Sequence, residues 1–247
     1  MSILESIRVA FTSLRSNLLR AILTMLGIII GVGAVITLLA LGGAIQNLVT
    51  KELQGLGSNL VFVFAGTNDP ELNRRVPPRL TNDDIAALAD PLNVPAAAAV
   101  CAQLSRNGLI LYGGGSFDGR VSGVTANFPQ VRNAKVSDGV FFDQASVDGR
   151  SRVAVLGSEV RRSLFRDEDP IGRRIRINDI SFEVIGVMAS RGGSFGPNDD
   201  SVVFVPITTA QRRLFPPAPG IVNKIDASVI YIQSVDERSV DTLIDQI

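Results

Sequence analysis

The 247-residue sequence contains no histidine and a single cysteine, Cys101. The lack of histidine excludes His-dependent catalytic triads, imidazole general bases and His-ligated metals. One cysteine allows no disulfide within the chain and no thiolate cluster for zinc or iron–sulfur. The dipeptide Gly-Lys is also missing, so no G-x-x-x-x-G-K-[ST] motif is present. These absences exclude many enzyme classes, as well as ATP binding through a P-loop.

Charge is scarce and balanced. Only 19% of the residues are charged, the formal net charge is zero, and 46% are hydrophobic, which gives a mean hydropathy of +0.27. An ordinary soluble domain has charge on about a quarter of its residues. Without an overall basic field the chain is not expected to bind nucleic acid.

One long segment carries no charge. It runs from residue 21 to residue 50 between Arg20 and Lys51, whereas about 20 apolar residues suffice for a helix to cross a bilayer. Two alternatives are a buried helix of a soluble protein and a signal peptide cleaved near Ala44, but the segment is longer than a signal peptide needs. We therefore predict one transmembrane helix.

The flanking charges predict the orientation of this helix. The first 20 residues carry Arg8, Arg15 and Arg20 against Glu5. Because positively charged flanks stay in the cytoplasm, the N-terminus is expected to be cytoplasmic, and residues from about 51 onward are expected to lie outside.

The segment before the span predicts a cytoplasmic amphipathic helix. Ser2 and Glu5 have the spacing of a capping box. Arg8 and Arg15 lie off an apolar stripe with helical spacing, formed by Ile3, Ile7, Phe11, Leu14 and Leu18. The stripe suits the inner membrane face or a neighbouring protein helix. Arg8 and Arg15 are the candidate coupling residues on this cytoplasmic face.

Gly27 and Gly31 form a G-x-x-x-G pair within the span. Small residues one helical turn apart allow another membrane helix to approach closely. They are the candidate helix-packing residues, although glycine is also common in membrane helices without such a role.

The rest of the chain predicts an interrupted α/β repeat. A strand at 59–65, a helix from the N-cap Thr81 through Ala89, and a strand at 98–104 form a β-α-β unit. A strand at 228–233 and a helix at 236–247 follow later, without a closing strand. Between them we predict a β-rich region with a flexible glycine tip at 113–115, strands at 109–112, 120–125, 152–156, 174–177, 180–188 and 202–205, a hairpin turn at 178–179, and helices at 158–165 and 208–214.

Candidate chemistry is limited to two carboxylate pairs. Asp83/Asp84 and Asp199/Asp200 have the composition for acid–base work or cation binding. The helix dipole explains Asp84 equally well, and a polar loop explains Asp199/Asp200. We therefore predict no enzyme, no cofactor and no metal site.

Several segments resemble the MacB-type, FtsX-related permeases of ABC transporters, in order and spacing over essentially the whole chain. These segments are LLRAILTMLGIIIGV (18–32), LGSNL (56–60), RVAVLG (152–157), DPIG (169–172), IRIN (175–178), FEVIGV (182–187) and VPITTA (205–210). The resemblance implies a membrane-anchored α+β protein of the bacterial inner membrane. Its parts would be a cytoplasmic amphipathic helix (1–18), a transmembrane helix with an outer extension (19–56), a Porter-like first half (57–106), a Sabre-like β-rich insertion (107–223) and an incomplete Porter-like second half (224–247).

The resemblance also implies how the protein works. A complete permease of this family has four transmembrane helices, acts as a dimer, and transmits motion from ATP-binding subunits to the outer domain. Met1 lies about 20 residues before the span, so the expected partners are a separate P-loop ATPase, a second permease copy, membrane lipid and, for efflux, a periplasmic adaptor. Two alternatives remain open: a single-span anchored binding or sensor protein, and an FtsX-like regulator of cell-wall hydrolases.

Overall fold

The computed structural model describes residues 17–56, 59–66, 80–191, 199–216 and 227–247, together with Val9 and Thr12. The chain divides into two compact units, Met1–Lys51 and Glu52–Ile247. Arg8 and Arg15, most of the predicted amphipathic helix, and the predicted loop at 68–79 lie outside the described residues.

The first long element is helix α1, Leu18–Leu56. Its segment Leu18–Gln46 is, within the described ranges, the one helical stretch long and apolar enough to cross a membrane. The large apolar side chains of this segment are exposed to the surroundings instead of being packed into a core. The length and composition of this segment agree with the predicted span.

Among its described residues, the second unit contains short helices and nine strands. The helices are α2 (Asn82–Ala89), α3 (Phe128–Val131), α4 (Gln144–Asp148), α5 (Ser158–Phe165), α6 (Ile207–Thr209, continued by a π-helical turn at Ala210–Leu214) and α7 (Val240–Gln246). The strands are β1 (Leu60–Phe64), β2 (Ala97–Tyr112), β3 (Gly115–Val124), β4 (Val136–Gly139), β5 (Val153–Leu156), β6 (Arg174–Ile177), β7 (Ile180–Met188), β8 (Val202–Pro206) and β9 (Val229–Ser234).

All nine strands belong to one sheet. Its order is β1-β9-β2-β3-β8-β5-β7-β4, and β6 pairs with β2 and β7. Strand β9 is antiparallel to both β1 and β2. Strands β1 and β2 therefore run in the same direction with β9 between them, so the predicted β-α-β unit is present but split by a strand from the end of the chain.

Strand β2 corrects the sequence prediction. The polar residues 105–108 predicted a break between two strands, yet 97–112 forms one continuous strand. Its first part pairs with β9 and its second part with β3. This ladder pairing outweighs the weak local strand preference of polar residues and glycine. One strand therefore crosses the boundary predicted at residues 106/107.

Two hairpin turns contain residues that tolerate positive φ angles. Asn178 and Asp179, between β6 and β7, have positive φ angles of 44° and 71°, as a two-residue type I′ turn requires. This confirms the turn predicted there. Gly113 and Gly114 also have positive φ, 54° and 85°, and join β2 to β3. The predicted flexible tip is thus a tight turn.

The shortest elements were missed or misread. Helices α3 and α4 and strand β4 were not predicted, and a helix of four or five residues is too short to show helical periodicity. The helix predicted at 236–247 begins instead as a 3₁₀ turn at Glu237–Ser239, capped by Asp236. Of its three predicted apolar residues, Leu243 is buried, whereas Ile244 and Ile247 are exposed.

Candidate functional site

The carboxylate pair Asp83/Asp84 belongs to a helix cap. The Asp84 carboxylate accepts hydrogen bonds from the backbone N–H and the hydroxyl of Thr81, both at 2.8 Å. The Thr81 hydroxyl in turn accepts from the Asp84 N–H at 3.3 Å. This reciprocal capping box fixes the start of α2, as the N-cap at Thr81 predicted.

The second pair, Asp199/Asp200, forms ion pairs and hydrogen bonds in a 3₁₀ turn before β8. The Asp200 carboxylate accepts from the Ser190 hydroxyl (2.8 Å) and the Arg191 backbone N–H (3.0 Å). The Asp199 carboxylate lies 3.4 Å from Arg191 Nη1 and 3.6 Å from Arg132 Nη2. Neighbouring arginines disfavour a bound cation here, and the described residues contain no cluster of three metal-ligating side chains.

Arg132 is the residue that sequence reasoning missed. It follows α3 and is only 1% exposed, the largest fully buried side chain among those described. Its guanidinium carbon lies 4.8 Å from the ring centroid of Tyr231 on β9 and 5.8 Å from that of Phe62 on β1. Both distances permit cation–π attraction. Since arginine stays protonated in proteins, a permanent charge is buried between two strands and the Asp199 turn.

The hydrogen bonds of Arg132 are incomplete. Its Nε and Nη1 atoms have no hydrogen-bond partner within the described part of the chain. An unsatisfied buried polar group costs about 1–3 kcal/mol. Arg132 is therefore held by one carboxylate, by two aromatic rings, and by Arg191, which donates from Nη2 to the Arg132 carbonyl at 2.6 Å. We call Arg132, Asp199, Arg191, Phe62 and Tyr231 the arginine clamp.

The groups beside the clamp are electrically neutral. Burial raises the pKa of the Cys101 thiol to about 12, although hydrogen bonding to Thr125 and the charge of Arg132 act in the opposite direction. Burial likewise raises the pKa of Tyr231 to about 12, and its hydroxyl donates to Gln103 Oε1 at 2.6 Å. Neither the Cys101 thiol nor the Tyr231 hydroxyl therefore ionises near pH 7.

Close backbone packing fixes the position of the Asp199 turn. A Cβ atom at Gly157, the N-cap of α5, would lie 2.3 Å from the carbonyl oxygen of Asp200 and 2.6 Å from that of Asp199. Real atoms do not approach so closely, so only glycine allows α5 to begin here. The turn therefore packs against the start of α5 on one side and pairs with Arg132 and Arg191 through Asp199.

The two glycines predicted to pack against another helix lie on α1. Gly27 and Gly31 are exposed, and a Cβ atom on either would meet nothing within 4 Å. The face is therefore open to a neighbouring helix, and its use for packing stays a prediction.

Replacing both glycines tests this packing face. Gly27→Leu with Gly31→Leu should weaken self-association of the full-length permease in a membrane two-hybrid assay, because leucine side chains would separate the backbones. Association of membrane helices also draws on hydrogen bonds and lipid entropy, so we expect a partial loss. The control is Gly33→Leu, which also faces open space but lies on another side of the helix. Unchanged association of the double variant would contradict the prediction.

Curated relatives share the sequence over most of the chain. The Macrolide export ATP-binding/permease protein MacB of Hyphomonas neptunium is 36% identical over 213 residues, which cover 85% of this chain and 33% of that protein. The Pyoverdine export ATP-binding/permease protein PvdT of Pseudomonas aeruginosa is 33% identical over 245 residues, covering 98% of this chain and 36% of that protein. The chain therefore spans about a third of the length of the curated relatives it matches.

Two solved structures share the fold. The extracellular domain of the noncanonic ABC-type transporter YknZ from Gram-positive bacteria superimposes with a TM-score of 0.62 at 19% identity, covering 75% of this chain and 88% of that one. The periplasmic region of MacB from Actinobacillus actinomycetemcomitans gives 0.61 at 21% identity, covering 78% and 86%. The sequence model of the MacB-like periplasmic core domain matches residues 21–247. The chain therefore belongs to the family of the MacB-like periplasmic core domain.

Proposed function

We propose that the chain is the N-terminal part of a permease subunit in an ATP-driven ABC transporter of the bacterial inner membrane. Its N-terminus lies in the cytoplasm, α1 crosses the membrane, and residues from about 51 onward lie outside. The subunit transmits ATPase-driven motion to this outer domain, which serves export or lipoprotein release. The export functions in the names of MacB and PvdT support this proposal.

The arginine clamp is the observation that carries the mechanical part of the proposal. Strand β1 begins at Leu60, close in sequence to the end of α1 at Leu56. The clamp then connects Phe62 of β1 through Arg132 to Asp199, which lies in the 3₁₀ turn directly before β8. Packed protein interiors are dense and hardly compressible. A displacement of β1 would therefore displace β8 as well, instead of being absorbed by compression of the side chains between them.

We propose that ATP is bound and hydrolysed by a P-loop part of the transporter that lies outside these 247 residues. The 247 residues contain no P-loop, and the names of the relatives combine ATP-binding and permease functions. We further propose a dimer of two permease copies and, for efflux, a periplasmic adaptor. Arg8 and Arg15 would contact lipid headgroups or the ATPase from the cytoplasmic side, with about 1 kcal/mol per basic residue near an anionic surface.

Reconstitution tests this function. The purified 247-residue chain should hydrolyse no ATP above background. The full-length permease should co-purify stoichiometrically with a P-loop ATPase, and replacing the P-loop lysine of that subunit should abolish substrate movement in proteoliposomes. A reporter active only outside the cytoplasm, fused after Ile247, serves as the control for topology.

Three results would contradict the proposal. An inactive reporter would refute the orientation. Substrate movement with the inactivated ATPase would refute the energy source. ATP hydrolysis by the purified 247-residue chain would refute an ATPase that lies outside these residues.

A further inference from the structure

An open groove of ≈ 660 Å³ lies between two connecting segments of the second unit. One segment leads from the end of β3 into α3 and contributes Pro129 and Gln130. The other leads from β4 into α4 and contributes Phe141 and Asp143, while Val100 of β2 lines the groove from the sheet. Neither the arginine clamp nor the proposed transport function uses these residues.

Asp143 is the one charged residue among the ten that line the groove. Its Oδ1 atom accepts hydrogen bonds from the Ser146 N–H (2.9 Å) and from the Ser146 hydroxyl (2.8 Å). Hydrogen bonds from the hydroxyl and the N–H of Ser146 lower the pKa of Asp143, so the carboxylate is ionised at neutral pH. Its Oδ2 atom accepts no hydrogen bond from another residue in the described part of the chain. The groove therefore presents a negative charge with a free acceptor atom.

The apolar part of the groove is held in place by buried rings. The ring centroid of Phe141 lies 4.2 Å from that of Phe142 and 6.4 Å from that of Phe128. Phe142 and Phe128 are buried, whereas Phe141 is only half-buried. An aromatic ring that is fixed on one side and open on the other can pack against an apolar side chain or against a cation.

Side-chain amides supply the other polar groups of the groove. Asn127 Nδ2 donates to the Val100 carbonyl at 2.8 Å, which connects the segment before α3 to β2. The side chains of Gln130 and Gln144 are exposed. A side-chain amide both donates and accepts, so these two can form hydrogen bonds with peptide groups.

We propose that this groove binds an extended peptide segment in which an arginine or lysine stands next to an apolar residue. The basic side chain pairs with Asp143 Oδ2, the apolar side chain packs on Phe141 and Pro129, and the amides of Gln130 and Gln144 bond to the peptide groups. Sites for small molecules usually enclose most of the ligand surface, whereas an open groove leaves an extended chain free to continue at both ends. This inference goes beyond the proposed transport function and does not rest on it.

Fluorescence anisotropy with the full-length permease in detergent tests the site. The probe is a short labelled peptide with blocked ends that contains one arginine between two leucines. The matched probe has glutamine in place of the arginine. The arginine probe should bind about 2- to 5-fold more tightly, the factor that an exposed ion pair contributes.

Asp143→Asn should abolish this preference for the arginine probe. Asparagine caps helices as well as aspartate does, and its Oδ1 can still accept the bonds from Ser146, so the variant should keep its fold and its circular dichroism spectrum. Asp138→Asn is the matched control. Asp138 is also exposed and accepts from the Ser137 hydroxyl at 2.9 Å, but it does not line the groove, so the preference should persist.

Four results would overturn the proposal. The first two are equal affinity of the two probes for the unchanged permease and a preference for arginine that survives in Asp143→Asn. The third is the lack of any binding of the arginine probe at millimolar concentration. The fourth is displacement of the arginine probe by phenethylammonium as effectively as by the unlabelled arginine peptide, which would assign the groove to small organic cations.

Discussion

Asp199→Ala is expected to lower the free energy of unfolding of the chain by about 3–5 kcal/mol, the usual cost of leaving a buried charge without its partner. Arg191 retains partial contact with solvent. Arg132 is 1% exposed, and within the described part of the chain its one ion pair is with Asp199. The change in the free energy of unfolding can be measured by urea unfolding of the detergent-solubilised chain, followed by circular dichroism. Asp179→Ala is the matched control, because its ion pair with Arg176 is exposed and should contribute less than about 1 kcal/mol.

A double-mutant cycle separates the charge from the packing. Adding Arg132→Met to Asp199→Ala should restore most of the lost stability, since methionine fills a similar volume and carries no charge that needs a partner. Buried ion pairs replaced by apolar residues of similar size are often neutral or stabilising. Equal losses for Asp199→Ala and Asp179→Ala, or strictly additive effects in the cycle, would show that Asp199 does not stabilise a buried cation.

Local features were predictable from the sequence. The uncharged run from 21 to 50 marked α1, the Thr81–Asp84 spacing marked the capping box of α2, and Asn178-Asp179 marked a hairpin turn. In each case the determining contacts lie within a few residues of one another. Strands β6 and β7 could be predicted for the same reason, because alternating apolar residues and a turn sequence mark them locally.

Contacts between distant residues could not be predicted in this way. Nothing around Arg132 signals burial, because its partners Phe62, Asp199 and Tyr231 are each at least 67 positions away. The insertion of β9 between β1 and β2 is likewise a long-range pairing. The sequence marked Asp199 as a candidate, but its role depends on an arginine that only the fold brings near.

Arg132→Met is the second substitution for which we expect a large effect. It should weaken the coupling of ATP hydrolysis to substrate movement. The variant should keep its fold, because Nε and Nη1 of the lost guanidinium have no hydrogen-bond partner among the described residues. It should lose the attraction that connects Phe62 and Tyr231 to Asp199. Coupling free energies between sites are commonly about 1–3 kcal/mol, or 5- to 150-fold in the coupled quantity. A loss of this size is expected in substrate moved per ATP hydrolysed.

Arg106→Met is the control for this change. Arg106 lies 5.6 Å from the ring centroid of Phe215, a cation–π contact that does not involve the clamp. The variant should behave like the unchanged permease, both in ATP hydrolysis and in substrate movement. A comparable loss in Arg106→Met would indicate a general effect of removing arginine from the outer domain.

The most direct test is the ratio of substrate moved to ATP hydrolysed by the full-length permease and its ATPase in proteoliposomes, measured for the unchanged protein and for Arg132→Met. Transmission through the clamp predicts continued ATP hydrolysis and a ratio lowered by about 5- to 150-fold in the variant. An unchanged ratio in a correctly folded Arg132→Met permease would contradict the account, because motion would then reach the outer domain without Arg132.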